Sequence, residues 1–427
     1  MSKVRNDAVR HRNSCLDFAR SLSLAGCVWF IASPAFAGDI QYSAQADIGG
    51  TVNFDSPNDK KNFGRLFDDK SNQVLLNQIL LTAQKPIDPA TKGYDFGFKL
   101  QGLYGSDARY THSLKEFQNS TGDSTNQIDL TEANVQVHTP WFTNGGFDIK
   151  AGEYPSPQSA ESIDPSSNFL YSHSYIFNFG VPFKHVGVMT TLHATPQIDI
   201  YLGGDTGVNT FVGDGDNNDA LSFFGGIGLN LNGGKWTTLA TTHIGPEIAD
   251  KAKQNGLIAA SVDTNNDKRA LSTITSTWKV SDKWTLINDM SWVHDDAVNA
   301  GQSANAFGMA QYGVYAINDH LSLVGRGEIF RDVNGSFVSQ SGNNIDYANG
   351  EAGIPARSSR TVGGGKTTYG AVTLGMNIKP DMGIKGLNTF TIRLEVRYDT
   401  SLNATKPFND SSEGHMLTAG VDLVIGF

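Results

Sequence analysis

The 427-residue chain contains 46 glycines and 18% charged residues, and its formal net charge is −10. This acidic balance disfavours nucleic acid as a partner and would concentrate cations near a water-filled pore. The mean hydropathy of −0.29 does not exclude membrane-spanning strands, because lipid-facing and lumen-facing residues alternate along such strands and cancel in the average.

The first 37 residues are predicted to be a cleaved secretory signal. Five basic residues precede an apolar run at 22–31. The small residues Ala35 and Ala37 predict cleavage before Gly38. A lipoprotein signal with Cys27 as the lipidated residue is an alternative, but the apolar run continues past that cysteine. Both cysteines lie in this segment, so a chain that begins at residue 38 has no disulfide and no thiolate metal site.

After residue 37 the chain alternates apolar and polar residues in runs of about 10–14, a length that suits tilted membrane strands. Sixteen runs are predicted, at roughly 40–54, 72–85, 93–106, 127–138, 146–154, 184–195, 197–208, 220–232, 235–245, 269–280, 283–294, 304–317, 320–332, 366–379, 387–400 and 414–427. Long and short connections alternate between them. This pattern predicts an all-β, antiparallel transmembrane barrel of about 16 strands, within 14–18, with long extracellular loops and short periplasmic turns.

The last two runs show the alternation most clearly. Arg393, Glu395, Arg397 and Asp399 share one face of their run. Such a face cannot meet lipid, where one mid-plane arginine costs about 2–4 kcal/mol. The same alternation would also suit a soluble sandwich, so these two runs alone do not decide the fold.

Tryptophan placement favours the membrane. The five tryptophans after residue 37 all fall at predicted strand ends or turns, and the first four lie at the short-turn end: Trp141, Trp236, Trp278, Trp284 and Trp292. Indoles at one level of a membrane form an aromatic girdle. The alternative is that bulky aromatics often flank turns.

Several short stretches resemble the sequences of one known protein family. The stretches 151–154 (AGEY), 168–174 (NFLYSHS) and 182–188 (PFKHVGV) resemble the beta-barrel porin-2 (OmpL-like) family of bacterial outer-membrane proteins, and 203–207 (GGDTG) and 216–219 (DNND) are also similar. The resemblance covers nearly all of 38–427. It implies a porin-like barrel of undefined solute preference, and it implies no catalytic residue and no cofactor.

The chain end resembles the signal that the barrel-assembly machinery reads in outer-membrane proteins. Val421, Leu423, Ile425 and the terminal Phe427 alternate on one face. We expect these four side chains to meet lipid and Asp422 to face the lumen.

A barrel of sixteen strands leaves an aqueous channel, whose selectivity depends on the residues that narrow and charge it. Strand parity gives the pore-lining candidates: Lys99, Gln101, Glu132, Asn134, Gln136, Arg326, Glu328, Arg393, Glu395, Arg397, Asp399 and Asp422. They predict a mixed-sign constriction that orients polar solutes. Cross-strand salt bridges along the inner wall are the structural alternative, and both can hold together.

The segment 155–183 is predicted to fold inward as a constriction loop. Its acidic residues Glu161 and Asp164 could oppose the wall arginines. An aromatic stripe of one parity follows, which includes Tyr171, His173 and Tyr175. This stripe could stack sugar rings, pack against the wall, or form an additional strand.

Other loops offer weaker patterns. The acidic clusters 214–219 and 263–267 resemble metal sites, but they lack the spacing of an EF-hand, so solvated loops are favoured. The segment 333–365 is rich in Gly, Ser and Asn and is predicted to be a mobile surface loop.

Passive diffusion of small hydrophilic solutes is therefore the leading hypothesis for function, with outer-membrane lipid and the assembly machinery as partners and a homo-trimer expected by analogy. A structural or surface-binding barrel that acts through its extracellular loops is the alternative. A membrane-embedded hydrolase is disfavoured because no Gly-x-Ser-x-Gly or His-Glu-x-x-His motif occurs.

Overall fold

The computed structural model describes residues 40–88, 90–117, 122, 124–298, 302–355 and 362–427. The predicted signal and its cleavage residues Ala35, Ala37 and Gly38 lie outside the described residues. Within the described residues, sixteen strands form one closed antiparallel barrel in which each strand pairs with its neighbours in sequence and the last pairs with the first.

The barrel strands are β1 Gln41–Asn53, β2 Gln73–Lys85, β3 Asp95–Gly105, β4 Gln127–Thr139, β5 Phe147–Pro155, β6 Lys184–Thr195, β7 Ile198–Asp205, β8 Ser222–Leu231, β9 Trp236–Pro246, β10 Lys268–Lys279, β11 Trp284–Val298, β12 Gln302–Asn318, β13 Leu321–Asp332, β14 Thr368–Ile378, β15 Thr389–Ser401 and β16 His415–Gly426. All sixteen predicted runs are confirmed. Alternation of period two places every second side chain outside, so the pattern was readable wherever one face meets lipid.

Closure between β16 and β1 follows from the register of the two strands. Asp422 lies opposite Gly49 on one side and opposite Arg393 of β15 on the other. The terminal Phe427 exchanges two backbone hydrogen bonds with Ala44, at 2.9 and 3.1 Å. The barrel therefore has no free edge along this seam.

The helices are short and lie in the connections: α1 Ala108–Thr111, α2 Tyr175–Phe179, α3 Asp250–Gln254 and α4 Asp346–Glu351. Further 3-10 turns occupy Pro165–Ser167, Gly213–Gly215 and Asn232–Gly234, and Ser339–Gln340 pairs with Val362–Gly363 as a small ribbon. None of the helices among the described residues has the length and apolar character needed to cross a membrane.

The idea that 169–179 adds a strand is wrong, because its second half is helix α2. The Ser174 hydroxyl accepts a hydrogen bond from the Phe177 amide at 3.1 Å, which caps the helix N-terminus, and Gly180 ends it. The aromatic stripe of one parity is thus broken after Tyr175, since a helix rotates successive side chains by about 100°.

The outer face of the barrel is apolar. Residues of the long connections pack on its inner side. Trp141, Trp236, Trp278 and Trp284 are each 44–50% exposed and lie next to the short turns, as predicted. The prediction that Trp292 lies at a strand end is wrong, because β11 continues to Val298. On the inner side a single large cluster of buried apolar residues fills the extracellular half of the barrel.

The prediction of a surface loop at 333–365 is wrong for several of its described residues, which are buried, and the mobility of the loop stays a prediction. Asp332 accepts four backbone N–H bonds from residues 335–338, at 2.7–3.0 Å. Val338 and Ile345 are buried. A carboxylate with four donors holds this turn inward, which Gly-rich composition alone could not reveal.

Candidate functional site: the barrel lumen

The inner wall of β13, β15 and β16 carries most of the charged candidates, and all of them are buried. Pairs lie across or along these strands: Arg326 Nε to Glu328 Oε1 at 3.1 Å, Arg397 Nη2 to Asp399 Oδ1 at 2.9 Å, and Arg393 to Asp422 in a short bidentate contact. Of these three pairs, Arg393 with Asp422 is a cross-strand salt bridge, and the other two each lie along one strand.

The segment 155–183 runs inside the barrel and contacts strands on several sides of the lumen. Gln158 donates from Nε2 to Thr241 Oγ1 of β9 at 3.0 Å and to the Leu271 carbonyl of β10 at 2.9 Å. Asp289 of β11 accepts from the Ala160 amide at 2.9 Å. On the far side Gln45 of β1 donates to Asp164 at 2.8 Å. The segment thus bridges walls that lie far apart around the barrel.

Three wall arginines hold the segment by its backbone. Arg326 donates to the Ser172 carbonyl at 2.7 Å, and Arg397 donates to the His173 carbonyl at 2.7 Å. Arg393 donates to the carbonyls of Pro165 and Asn168 at 2.8 and 2.9 Å. Hydrogen bonds from charged donors each contribute about 1.5–3 kcal/mol.

The wall carboxylates complete this arrangement by accepting from the segment's amides. Glu395 accepts from the Tyr171 and Ser172 amides at 3.0 and 3.2 Å. Glu328 accepts from the Tyr175 amide at 2.8 Å, and the Tyr175 hydroxyl donates to Asp399 at 3.1 Å. Wall charges of both signs are therefore matched by backbone groups of the segment.

The two acidic residues of the segment behave differently. Glu161 opposes a wall arginine as predicted, with Oε1 2.7 Å from Arg326 Nη1, and it also accepts from Tyr312. Burial alone would raise the pKa of Glu161, but the Arg326 guanidinium and the other donors outweigh burial and lower that pKa. Asp164 has no arginine partner among the described residues and accepts instead from Gln45 and Ser166.

Aromatic packing fills the outer lumen beside the segment. Phe67 contacts Tyr110, His173, Phe177 and Phe183 with ring centroids 4.7–5.7 Å apart. A second group joins Tyr175 and Phe63 through Tyr369 at 5.0 and 6.3 Å. Among the three interpretations of the aromatic stripe, packing is the one that these contacts support.

Sequence reasoning missed several buried charges that come from other extracellular loops. Arg65 of the loop 54–72 reaches Asp399 at 2.5 Å and Asp68 at 2.6 Å. Arg109 binds Asp69 in a bidentate pair at 2.7 and 3.0 Å. Arginine and aspartate are ordinary in exposed loops, so no sequence signal marked these residues as inward.

The wall of β3–β5 differs, because its periplasmic half stays open to water. Lys99 lies 2.5 Å from Glu132, and the lysine side chain is 26% exposed. Gln136 donates to Asn134 at 2.9 Å. Both Gln136 and Lys150 remain partly exposed. Gln101 is buried and bridges Thr82 and Thr131 at 2.9 Å.

The structure also shows where the terminal residues and the acidic clusters 214–219 and 263–267 lie. Val421, Leu423, Ile425 and Phe427 are exposed or partly exposed, whereas Asp422 is buried inside. In the clusters, Asp216 accepts from the Asn218 amide and Asp263 from the Asn265 amide, at 3.3 and 3.2 Å. Short polar loops that satisfy their own amides are typical of turns.

Comparison with solved structures finds outer-membrane channels. The outer membrane channel DcaP of Acinetobacter baumannii has a TM-score of 0.54 at 12% identity, covering 91% of this chain and 97% of that one. The anion-selective porin from Comamonas acidovorans scores 0.56 at 9% identity, over 91% and 99%. OmpF of Salmonella typhi, in complex with daunomycin, scores 0.52 at 9% identity, over 91% and 97%. These likenesses show the shared barrel fold.

No curated protein sequence matches the chain. The family model described as "Putative beta-barrel porin-2, OmpL-like" matches residues 39–427. The prediction of an outer-membrane porin is confirmed, and the chain belongs to this family of bacterial outer-membrane β-barrel porins.

Proposed function

We propose that this porin passes small hydrophilic solutes by passive diffusion through a lumen that the segment 155–183 narrows. The observation that carries the proposal is the bridging of the lumen by this segment, from Gln158 at β9 and β10 to Asn168 at β15. A rigid bridge inside a sixteen-stranded barrel reduces the open cross-section, and the groups on its free surface then face the solute.

The partly open side gives the route of passage. Lys99, Gln136 and Lys150 project into the periplasmic half of the lumen and keep contact with water. On the segment, Ser166, Ser167 and Phe169 are exposed. Solutes would therefore meet mixed polar groups of β3–β5 on one side and this short exposed stretch of the segment on the other.

A non-enzymatic role is part of the proposal. Ser172 and His173, the adjacent serine and histidine of the segment, do not engage each other. The Ser172 hydroxyl lies 3.1 Å from Arg326 Nη2, and the His173 ring stacks on Phe177 with centroids 4.5 Å apart. A hydroxyl held by a guanidinium lacks the neighbouring base that a nucleophile needs.

Two further elements belong to the same proposal. The outward row that ends at Phe427 supports recognition by the barrel-assembly machinery and contact with outer-membrane lipid. A homo-trimer is proposed because a Vibrio cholerae outer-membrane protein of the same fold, with a TM-score of 0.51 at 9% identity, is described in a trimer form. Cross-linking of the purified porin, read as the size of the product, tests the trimer.

The deciding experiment is single-channel recording in planar bilayers. A protein that begins at residue 38 has no cysteine, so Phe169→Cys introduces a single thiol on the exposed stretch of the segment. A charged thiol reagent should then lower the conductance. Phe223→Cys is the matched control, because that side chain is 63% exposed on the outer face and its modification should leave conductance unchanged.

The two parts of the proposal fail separately. Absence of discrete conductance steps from the purified barrel would contradict the porin function. Steps that persist unchanged after modification at position 169 would leave the porin intact but contradict a constriction formed by the segment.

A further inference from the structure

One cluster of ligating side chains lies in the barrel wall outside the lumen network already described. It consists of His185 at the start of β6, Asp205 at the end of β7 and His243 on β9. All three are at most 2% exposed. The three ligand atoms lie within 4.8 Å of one another.

The separations suit a small metal ion. His243 Nε2 lies 2.9 Å from Asp205 Oδ1, and His185 Nδ1 lies 3.2 Å from Asp205 Oδ2. Zinc bonds of about 2.0–2.1 Å at tetrahedral angles put neighbouring ligand atoms roughly 3.3 Å apart. The remaining pair, between the two histidines, lies within 4.8 Å.

The histidine at β6 is the second, independent observation. Neither ring nitrogen of His185 has a hydrogen-bond partner among the described residues, although Nδ1 is close to Asp205 Oδ2, which is likewise unpartnered. Buried polar atoms without partners are rare because each costs about 1–3 kcal/mol. Two such atoms that face each other at 3.2 Å without hydrogen-bond geometry can both be satisfied by one cation.

The surroundings resemble those of protein metal sites in two respects. Glu247 Oε1 lies 3.7 Å from His243 Nδ1, the nitrogen that does not face Asp205, and is itself fixed by the Ser222 hydroxyl at 2.7 Å. A carboxylate behind a ligating histidine is common in metal sites, although at this distance Glu247 is near His243 Nδ1 without a hydrogen bond to it. The rings of Tyr154 and Phe224 enclose His185 at 5.8 and 6.1 Å and keep solvent away.

Charge and space are also consistent with a divalent ion. Asp205 and Glu247 bring two carboxylates into a buried site, and a divalent cation would neutralise both while the histidines stay neutral. Gly187 lies beside Asp205, where a Cβ would come within 2.7 Å of the aspartate Cβ. A side chain at 187 would therefore press on Asp205, and the glycine leaves the room that Asp205 occupies.

We propose that His185, Asp205 and His243 bind one divalent transition-metal ion, of the zinc type, in the wall of this barrel. Imidazole and carboxylate ligands suit zinc. The ion would join β6, β7 and β9 across four adjacent strands. It would also fix the end of the segment 155–183, which enters the wall two residues before His185.

Zinc binding to the whole folded barrel tests the site directly. The purified protein is treated with EDTA, titrated with zinc, and freed of unbound metal before elemental analysis. About one zinc per chain should remain, and the thermal midpoint should rise because a ligand bound only by the folded state stabilises it. Cobalt in place of zinc should give the absorption bands of a tetrahedral site.

Asp205→Asn and His185→Gln should each weaken zinc binding by at least about tenfold. His193→Gln is the matched control, because His193 also contacts two carboxylates, Asp148 and Asp199 at 3.1 and 2.7 Å, but both of its nitrogens are already hydrogen-bonded. That variant should bind zinc like the parent. Heat-modified migration on gels verifies that each variant has folded.

Retention of no zinc by the folded parent, without a thermal shift, would overturn the proposal and leave a hydrogen-bonded His–Asp–His cluster. Equal zinc binding by folded Asp205→Asn and by the parent would also overturn it. Neither outcome bears on conductance, so the porin function and this site stand or fall separately.

Discussion

The two walls of the lumen use their charges in opposite ways. On β13 and β15, Arg326, Arg393 and Arg397 are buried, and each is bound to a backbone carbonyl of the segment 155–183. On β3–β5, Lys99 has one carboxylate partner and remains partly in water. Charged residues on one inner wall therefore anchor a loop, and Lys99 on the other wall keeps contact with water.

A side chain that points into the barrel therefore does not have a role in permeation for that reason alone. The candidate residues from the alternating pattern all point into the barrel, but burial separates those held by the segment from those facing water. A buried charge that is paired in this way contributes to the stability of the bridge it supports, and removing one partner is strongly destabilising.

The largest expected effect comes from the anchoring wall. Arg326→Met leaves Glu161 buried without its guanidinium, whereas Glu328 keeps Arg397 at 3.1 Å. An unpaired buried carboxylate should lower the free energy of unfolding by about 3–5 kcal/mol. Urea unfolding in detergent, followed by tryptophan fluorescence, measures this. Adding Glu161→Gln to the same chain should recover part of the loss of stability. A loss below about 1 kcal/mol in the Arg326→Met variant would contradict the anchoring role of Arg326.

Acidification should destabilise the segment 155–183, by less than Arg326→Met does. The pKa of Glu161 is lowered in the folded state, so its stabilising effect is complete above the ordinary value of about 4.3. It is lost as the pH falls through the lower folded-state pKa. Channel conductance should therefore change below about pH 4, and Glu161→Gln should already show the acid behaviour at neutral pH. A parent channel that is insensitive to acid would argue against this role of Glu161.

The smallest effect on stability is expected from the open wall. Lys99→Gln removes a partly exposed ion pair, so the free energy of unfolding should change by at most about 1 kcal/mol. Cation preference should increase because Glu132 loses its partner next to the water path. Reversal potentials in a salt gradient measure the preference, and an unchanged value would contradict the assignment of β3–β5 to the route.

The fold was predictable from sequence to the level of individual strands, and the site was predictable only in part. Alternation located β15 and β16 because one face of each strand must be apolar over its whole length. The pairing of Glu161 with a wall arginine followed from charge alone. The carbonyl partners of Arg393 and the approach of Arg65 to Asp399 did not, because backbone groups and loop paths leave no pattern in side-chain identity.

The cluster of His185, Asp205 and His243 lies between these two cases. Each residue falls within a correctly predicted strand, but their proximity depends on strand register. The register between β6 and β7 also contains an irregularity near the turn, where the pairing shifts between His193 and Thr195. A pattern of alternation fixes the face of a residue but not its height along the barrel.

Recognition through the backbone has a consequence for how this porin can diversify. Arg326, Arg393 and Arg397 bind carbonyl oxygens, which every amino acid supplies. Substitutions at the exposed positions Ser166, Ser167 and Phe169 therefore leave these anchoring bonds available. The same scaffold can present different side chains to its solutes, so this short stretch is the natural place to redesign selectivity without rebuilding the barrel.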